Sequence, residues 1–228
     1  MPGILYIVAT PIGNLGDLTL RAVDVLKNAD IIACEDTRHT VRLLNHLGIR
    51  KTLISYHQHS TGIKTDQLIK RLEQGQSVAL VSDAGTPGIN DPGNLLVRQL
   101  IDRAGGRVSV VAVPGSCALV AAASISGLPS DRFTFMGFLP HKKGRQTMLQ
   151  QIADSDKTII FYESTHRILK TVEKLSQMLE SDRPMVITRE LTKKFEERIG
   201  ETVNECLARL KSHPESQKGE FVVVVGGK

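Results

Sequence analysis

Several segments of this 228-residue chain carry side chains able to do chemistry, and each directly follows a short apolar run. Glu35-Asp-Thr-Arg38 places two carboxylates and a guanidinium after Ile31–Cys34. One of the acids could take a proton, and Arg38 has the forked geometry to hold a phosphate or carboxylate. The same residues also read as a helix start, with Asp36 or Thr37 as its cap. The loop from Ser82 to Gly93 follows Val78–Val81 and mixes glycines and prolines with Asp83 and Asp91. Such a composition is costly as structure but suits a rigid loop whose main chain approaches a ligand. Asp83 reads as a ligand contact, and Asp91 as the cap of the next helix with Pro92 at its first position.

Thr10-Pro-Ile-Gly-Asn-Leu-Gly16 turns out of the first apolar run, and Pro114-Gly-Ser-Cys117 out of the fifth. The first turn has neither the three-glycine spacing of a dinucleotide site nor a phosphate-loop lysine. In the second half, Phe161-Tyr-Glu-Ser-Thr-His-Arg167 opens a helix, with Ser164 or Thr165 as a plausible cap. Thr188-Arg-Glu-Leu-Thr-Lys-Lys194 again puts charge after a strand, and Pro140–Arg145 is a basic, glycine-containing loop. His57 and His59 flank a glutamine with no cysteine or carboxylate set to complete a site, so no metal is expected.

The elements that must position these residues alternate. β-branched runs at Ile4–Ala9, Ile31–Cys34, Thr52–Ser55, Val78–Ser82 and Val108–Val113 are separated by stretches with apolar residues at helical spacing. This predicts an α/β first domain, a mostly parallel sheet flanked by helices, over residues 1–114. In such a sheet ligands bind beyond the carboxyl ends of the strands, where the polar loops fall. Runs at Phe133–Leu139, Thr158–Tyr162, Met185–Thr188 and Phe221–Val225 predict a second, mixed-sheet α/β domain over 115–228.

Composition narrows the class. A hydrophobic fraction of 41% supports a core, and no apolar run reaches the roughly 20 residues of a membrane helix. The N-terminus does not read as a signal peptide, and three widely spaced cysteines fit a reducing, cytoplasmic setting. A net charge of +5, spread over both halves, permits a polyanionic partner without requiring one.

Taken together, Tyr6–Ala22, Glu35–Arg38, Ser82–Pro87, Pro114-Gly115, Phe161–Arg167 and Arg189–Lys193 resemble the ribosomal RNA small subunit methyltransferase I family of the tetrapyrrole-methylase superfamily. The resemblance implies a two-domain tetrapyrrole-methylase-like fold, a homodimer, and S-adenosyl-L-methionine as cofactor. The implied substrate is a cytidine 2′-hydroxyl of 16S ribosomal RNA in the small ribosomal subunit. It assigns Pro11, Ile12, Gly13, Asn14, Ser82, Asp83, Ala84, Gly85, Thr86, Pro87, Ser116, Ala118 and Tyr162 to the cofactor. Glu163, His166, Arg167 and Lys193 are assigned to the RNA, with Lys142, Lys143 and Arg145 gripping it further out. Glu35, Asp36, Arg38 and Glu190 form the catalytic set, the base being Glu35 or Asp36 with Glu190 in reserve. Family members usually continue into a small basic extension, whereas this sequence stops at Gly226-Gly-Lys228. Two rivals stand beside this reading: a small-molecule methylase of the same fold, and a non-catalytic RNA-binding module.

Overall fold

The computed structural model describes residues 3–57 and 62–228, which divide into two compact units, Met1–Cys117 and Ala118–Lys228. In the first, strands and helices alternate: β1 Ile4–Val8, α1 Leu20–Asn28, β2 Ile31–Cys34, α2 Thr37–His46, β3 Thr52–Ser55, α3 Gly62–Glu73, β4 Ser77–Val81, α4 Asn94–Ala104 and β5 Ser109–Val113. The five strands are parallel in the order β3-β2-β4-β1-β5. β2 and β4 lie inside the sheet and are apolar on both faces, as strands covered on both sides must be.

Connectivity decides which helix covers which face. The chain steps from β1 through β2 to β3 in one direction, then returns through β4 to β5. Parallel crossovers are right-handed, so reversing direction moves the helices to the opposite face. Ala22 and Leu26 of α1 and Leu44 of α2 accordingly pack with Ile32, Cys34, Ala79 and Val81. Leu68 and Leu72 of α3 and Leu96 and Leu100 of α4 pack with Leu5, Ala33, Val78 and Leu80. The loops leaving the neighbours β1 and β4 therefore diverge to opposite faces. Such a switch point opens a crevice beyond the strand ends.

The second unit runs α5 Ala118–Ser126, β6 Phe133–Phe138, α6 Arg145–Asp154, β7 Thr158–Ser164, α7 Ile168–Ser176, β8 Met185–Arg189, β9 Glu197–Ile199, α8 Val203–Ser212 and β10 Glu220–Val225. Its sheet, β6-β7-β10-β8-β9, is mixed: β6 and β7 are parallel, and the other pairs antiparallel. One face packs Ile159, Phe161, Ile187 and Val223 against α6, α7 and α8, while α5 lies against β7, β8 and β10. Among the described residues no helix is long and apolar enough to cross a membrane.

Two helix starts differ from the sequence reading. Asp91 does not cap α4, which begins at Asn94 with Gly93 as its half-in residue at φ 147°. A Cβ on Gly93 would stand 3.1 Å from Leu80 Cδ2, a tight approach at a φ that L side chains rarely adopt, so the turn favours glycine. Asp91 instead turns inward to the Ser82 side chain. Neither Ser164 nor Thr165 caps α7, which starts at Ile168 without a side-chain cap. Thr165 Oγ1 donates to Gly219 O at 2.7 Å and accepts from Gly219 N at 2.9 Å, tying two loops of the second unit together.

Candidate active site

Four strand-end loops of the first unit are stitched to one another. Thr10 and Gly85 exchange a pair of main-chain hydrogen bonds, 2.9 and 3.0 Å, joining the loops after β1 and β4. Thr10 Oγ1 also donates to Ser82 O at 3.1 Å. Thr86 Oγ1 donates to Ser116 O at 3.0 Å, bringing in the loop after β5. Asp36 N donates to Asp83 Oδ1 at 3.0 Å, bringing in the loop after β2. Gly85 is the meeting point: at φ 83°, its missing Cβ would lie 3.4 Å from Ile12 Cγ2 and 3.7 Å from Ser116 O. Gly115 permits a similar approach, since a Cβ there would come within 2.9 Å of Ala9 Cβ. Pro11, Ile12, Ser82, Asp83, Gly85, Thr86, Pro87 and Ser116 thus converge. Gly13 and Asn14 form the exposed lip of the first turn, where Asn14 Oδ1 accepts from Gly16 N at 2.9 Å; Ala84 is exposed in the β4 loop.

Next to this convergence lies an open depression of about 410 Å³, lined by Glu35, Asp36, Thr37, Arg38, Ser55, His57 and Asp83. Its two adjacent acids have opposite surroundings. Burial raises the pKa of Glu35, and the charges of Asp83, Asp91 and Asp36 raise it further, with His57 opposing. Asp91 is raised in the same way, by burial and Asp83, against a hydrogen bond from Ser82. Asp36 is the N-cap of α2, accepting from Arg38 N at 2.8 Å and pairing with Arg38 Nη2 at 2.7 Å. Those contacts with Arg38 hold its carboxyl far below the usual carboxylate range. An acid so stabilised as its anion is a weak base, whereas one pushed upward accepts a proton more strongly near neutral pH. The surroundings thus separate the two base candidates in favour of Glu35, and Asp36 fixes the helix end and Arg38.

Ser55 and His57 are the members that sequence reasoning missed. The Ser55 hydroxyl and His57 Nε2 lie 2.7 Å apart; Ser55 ends β3 and His57 follows it, so the strand-end rule that found the other loops applied to them as well. His59 lies outside the described residues. Among the described residues, no group of His, Cys, Asp and Glu is arranged to hold a metal ion.

The second-unit candidates fall into two groups. Glu163 is fully buried; it accepts from Thr171 Oγ1 at 2.7 Å and pairs with Arg167 Nη2 at 2.8 Å and Arg145 Nη2 at 3.4 Å. Arg167 also donates to Leu139 O at 2.7 Å, and Arg145 to Pro140 O at 3.1 Å. These three charges satisfy one another inside the unit. Glu190, at φ 51°, accepts from Glu220 N at 2.9 Å and Lys193 Nζ at 3.0 Å, and Lys193 also reaches Glu220 at 2.8 Å. Burial raises the Glu190 carboxyl, but the Glu220 amide and Lys193 outweigh it and leave it below its ordinary value. Glu190 and Lys193 therefore close a turn, which does not suit a reserve base or a phosphate grip. His166, Lys142 and Lys143 are exposed, and Ala118 opens α5. Tyr162 packs edge-on to Phe135 and Phe138, with ring centres 5.0 and 5.4 Å away.

Residues 4–207 match the family model of tetrapyrrole (corrin/porphyrin) methylases. The ribosomal RNA small subunit methyltransferase I of Haemophilus influenzae is 49% identical over 229 residues, covering 100% of this chain and 80% of that protein. Its namesake in Escherichia coli O157:H7 is 51% identical over 226 residues, covering 99% and 78%. Among solved structures, the methyltransferase CobJ superposes with a TM-score of 0.69 at 18% identity, covering 99% of this chain and 94% of that one. Uroporphyrin-III C-methyltransferase from Thermus thermophilus, complexed with S-adenosylhomocysteine, gives 0.62 at 19% identity, covering 97% of each. At that identity the structures establish a shared fold. The sequence match to the curated relatives goes further, running end to end through every stitched loop, and the chain belongs to the tetrapyrrole (corrin/porphyrin) methylase family, among the ribosomal RNA small subunit methyltransferases I.

Proposed function

We propose that this chain transfers the methyl group of S-adenosylmethionine to the ribose 2′-oxygen of a cytidine in small-subunit ribosomal RNA. The observation that carries the proposal is the 49% identity over the whole chain to a relative named for small-subunit ribosomal RNA methylation. The site supports it chemically. The cofactor presents an ammonium, ribose hydroxyls and an exocyclic amine, all hydrogen-bond donors. The loops after β1, β4 and β5 offer acceptors: main-chain carbonyls and the Asp83 carboxylate, around Gly85, whose positive φ suits a residue without a Cβ. Pro11–Asn14, Ser82–Pro87 and Ser116 are the residues that would hold it.

The bound cofactor supplies an already activated methyl group, so the protein's task is chiefly alignment, with a proton to remove from a weakly nucleophilic hydroxyl. Glu35 takes that proton, its basicity lifted by burial and by Asp83 and Asp91. Asp36 holds Arg38 in place at the lip, where the Arg38 side chain is 87% exposed and meets a flanking phosphate. His166, Lys142 and Lys143 keep exposed side chains for contacts with RNA.

The test is transfer of labelled methyl from S-adenosylmethionine to small ribosomal subunits from a strain lacking this modification, followed by nucleoside analysis. A 2′-O-methylated cytidine is the expected product. Labelling of a tetrapyrrole but not of the subunits would overturn the proposal in favour of a small-molecule methylase.

A further inference from the structure

Between Asp36 and Asp66 the chain contains no acidic residue. It contains five Lys and Arg there (Arg38, Arg42, Arg50, Lys51, Lys64) and four of the seven histidines. Those five equal the entire formal net charge of +5; outside the stretch, the basic residues match the 24 acids in number.

The fold lays residues 37–57 of this stretch along one border of the first unit. β3 is an edge strand, paired among the described residues with β2 alone, and α2 starts at the depression that holds Glu35. Arg38, Arg42 and His46 recur every fourth residue, so they stand on one helix face about 6 Å apart along its axis. All three are exposed, as is Arg50 in the connection to β3. The side chains of Arg42, His46 and Arg50 make no hydrogen bond or ion pair with any described residue. Arg98, Arg103, Arg189 and Arg209, by contrast, are each matched to a carboxylate. Lys51 is half-buried and within the field of Asp30, so it contributes less.

Helix stability does not explain the stripe. Like charges at this spacing weaken a helix, and Arg38 sits at the end where the helix dipole disfavours a cation. Only His46, in the last turn, is favoured there. The spacing does suit a strand carrying a regular series of negative charges.

We propose that Arg38, Arg42 and His46 on α2, with Arg50 beyond, form the track for the phosphate backbone of the RNA strand whose ribose enters the Glu35 depression. The inference rests on the RNA-methylating function proposed above. The carboxylates of the depression repel phosphate, so the backbone stays on the basic border and only the ribose is presented to Glu35.

The test compares wild type with Arg42→Ala/Arg50→Ala, measuring methyl transfer to small ribosomal subunits over a range of salt. The readouts are kcat, KM for subunits and affinity for S-adenosylhomocysteine. The double variant is expected to raise KM about 10-fold and to reduce the salt slope by about 1.5, as loss of two phosphate contacts should. kcat and S-adenosylhomocysteine affinity should stay at wild-type values, and Arg42→Lys/Arg50→Lys should restore most of the loss. Lys70→Ala, exposed on α3 across the sheet, should change nothing. Wild-type KM and salt slope in the double variant would overturn the track alone. No transfer to ribosomal RNA by the wild-type protein would overturn the track together with the proposed function.

Discussion

Glu35 and Asp36 are chain neighbours of the same chemical type, and their surroundings give them different tasks. Asp36 is spent on Arg38 and the start of α2, while Glu35 is partly buried among carboxylates and held above its ordinary pKa. Glu35→Gln is expected to lower kcat by about 10²–10⁴-fold, with binding of S-adenosylhomocysteine unchanged in calorimetry. The same substitution should stabilise the fold at neutral pH. A carboxyl whose pKa is raised by folding destabilises the native state above that pKa, and the penalty fades as pH falls through it. The melting temperature of Glu35→Gln should therefore exceed wild type at neutral pH and converge with it towards acid. Asp91→Asn removes a like charge from Glu35, so the acidic limb of the kcat–pH profile should move to lower pH; a limb that stays put would dissociate Asp91 from the base. The pairing of acids was legible in the sequence, whereas the inward turn of Asp91 was not. Asp-Pro-Gly reads as a helix start, and only the closeness of Gly93 to Leu80 shows why α4 begins later.

β7 shows how charged residues after a strand can mislead. Glu163 stands two residues beyond Phe161, and in a strand that spacing returns a side chain to the same face. That face is covered by α7, so Glu163 is drawn inside with Arg145, Arg167 and Thr171 as partners. The period-two rule, applied past the last apolar residue, would have found this. Glu163→Ala leaves two largely buried guanidiniums without a counter-charge and is expected to cost about 3–5 kcal/mol in urea unfolding. A loss below about 1 kcal/mol would mean the arginines reach water instead. The strands and helices themselves were well marked by their periodicity, and Gly48, Gly75 and Gly105 stand at the helix ends where the sequence places them, each with positive φ. What the sequence withheld was the pairing order of the sheets, which depends on contacts far apart along the chain.

At the scale of the whole molecule, the two units differ in how they hold charge. The first sets Glu35, raised by burial and by the charges of Asp83 and Asp91, beside Asp36, which Arg38 holds far below the ordinary range. The second ties Glu197 to Arg189, Arg209 and Ser216, which outweigh burial and hold its carboxyl below the ordinary range. A carboxylate lowered by folding stabilises above its unfolded pKa, and that contribution is lost as pH falls through the folded value. Calorimetry should thus find the second unit losing this contribution as pH falls below the ordinary glutamate range, and Glu197→Gln, which lacks the titrating carboxyl, losing less. Two α/β units were legible in the alternation of strand and helix patterns, but a count by halves concealed the basic border, because the decisive segment is bounded by Asp36 and Asp66.

The stitching of Thr10 to Gly85, Asp36 to Asp83 and Thr86 to Ser116 has a consequence for how this protein is made. No contiguous fragment that ends before Ser116 contains all the loops. On the ribosome, then, a nascent chain lacks the finished pocket until its first unit has been synthesised almost in full, and it gains that pocket in a single closing event. Once formed, the pocket lets any ligand it holds stabilise the newly folded unit by mass action. Cofactor binding by truncated chains of increasing length should switch on abruptly, marking the moment at which this half of the molecule completes its fold.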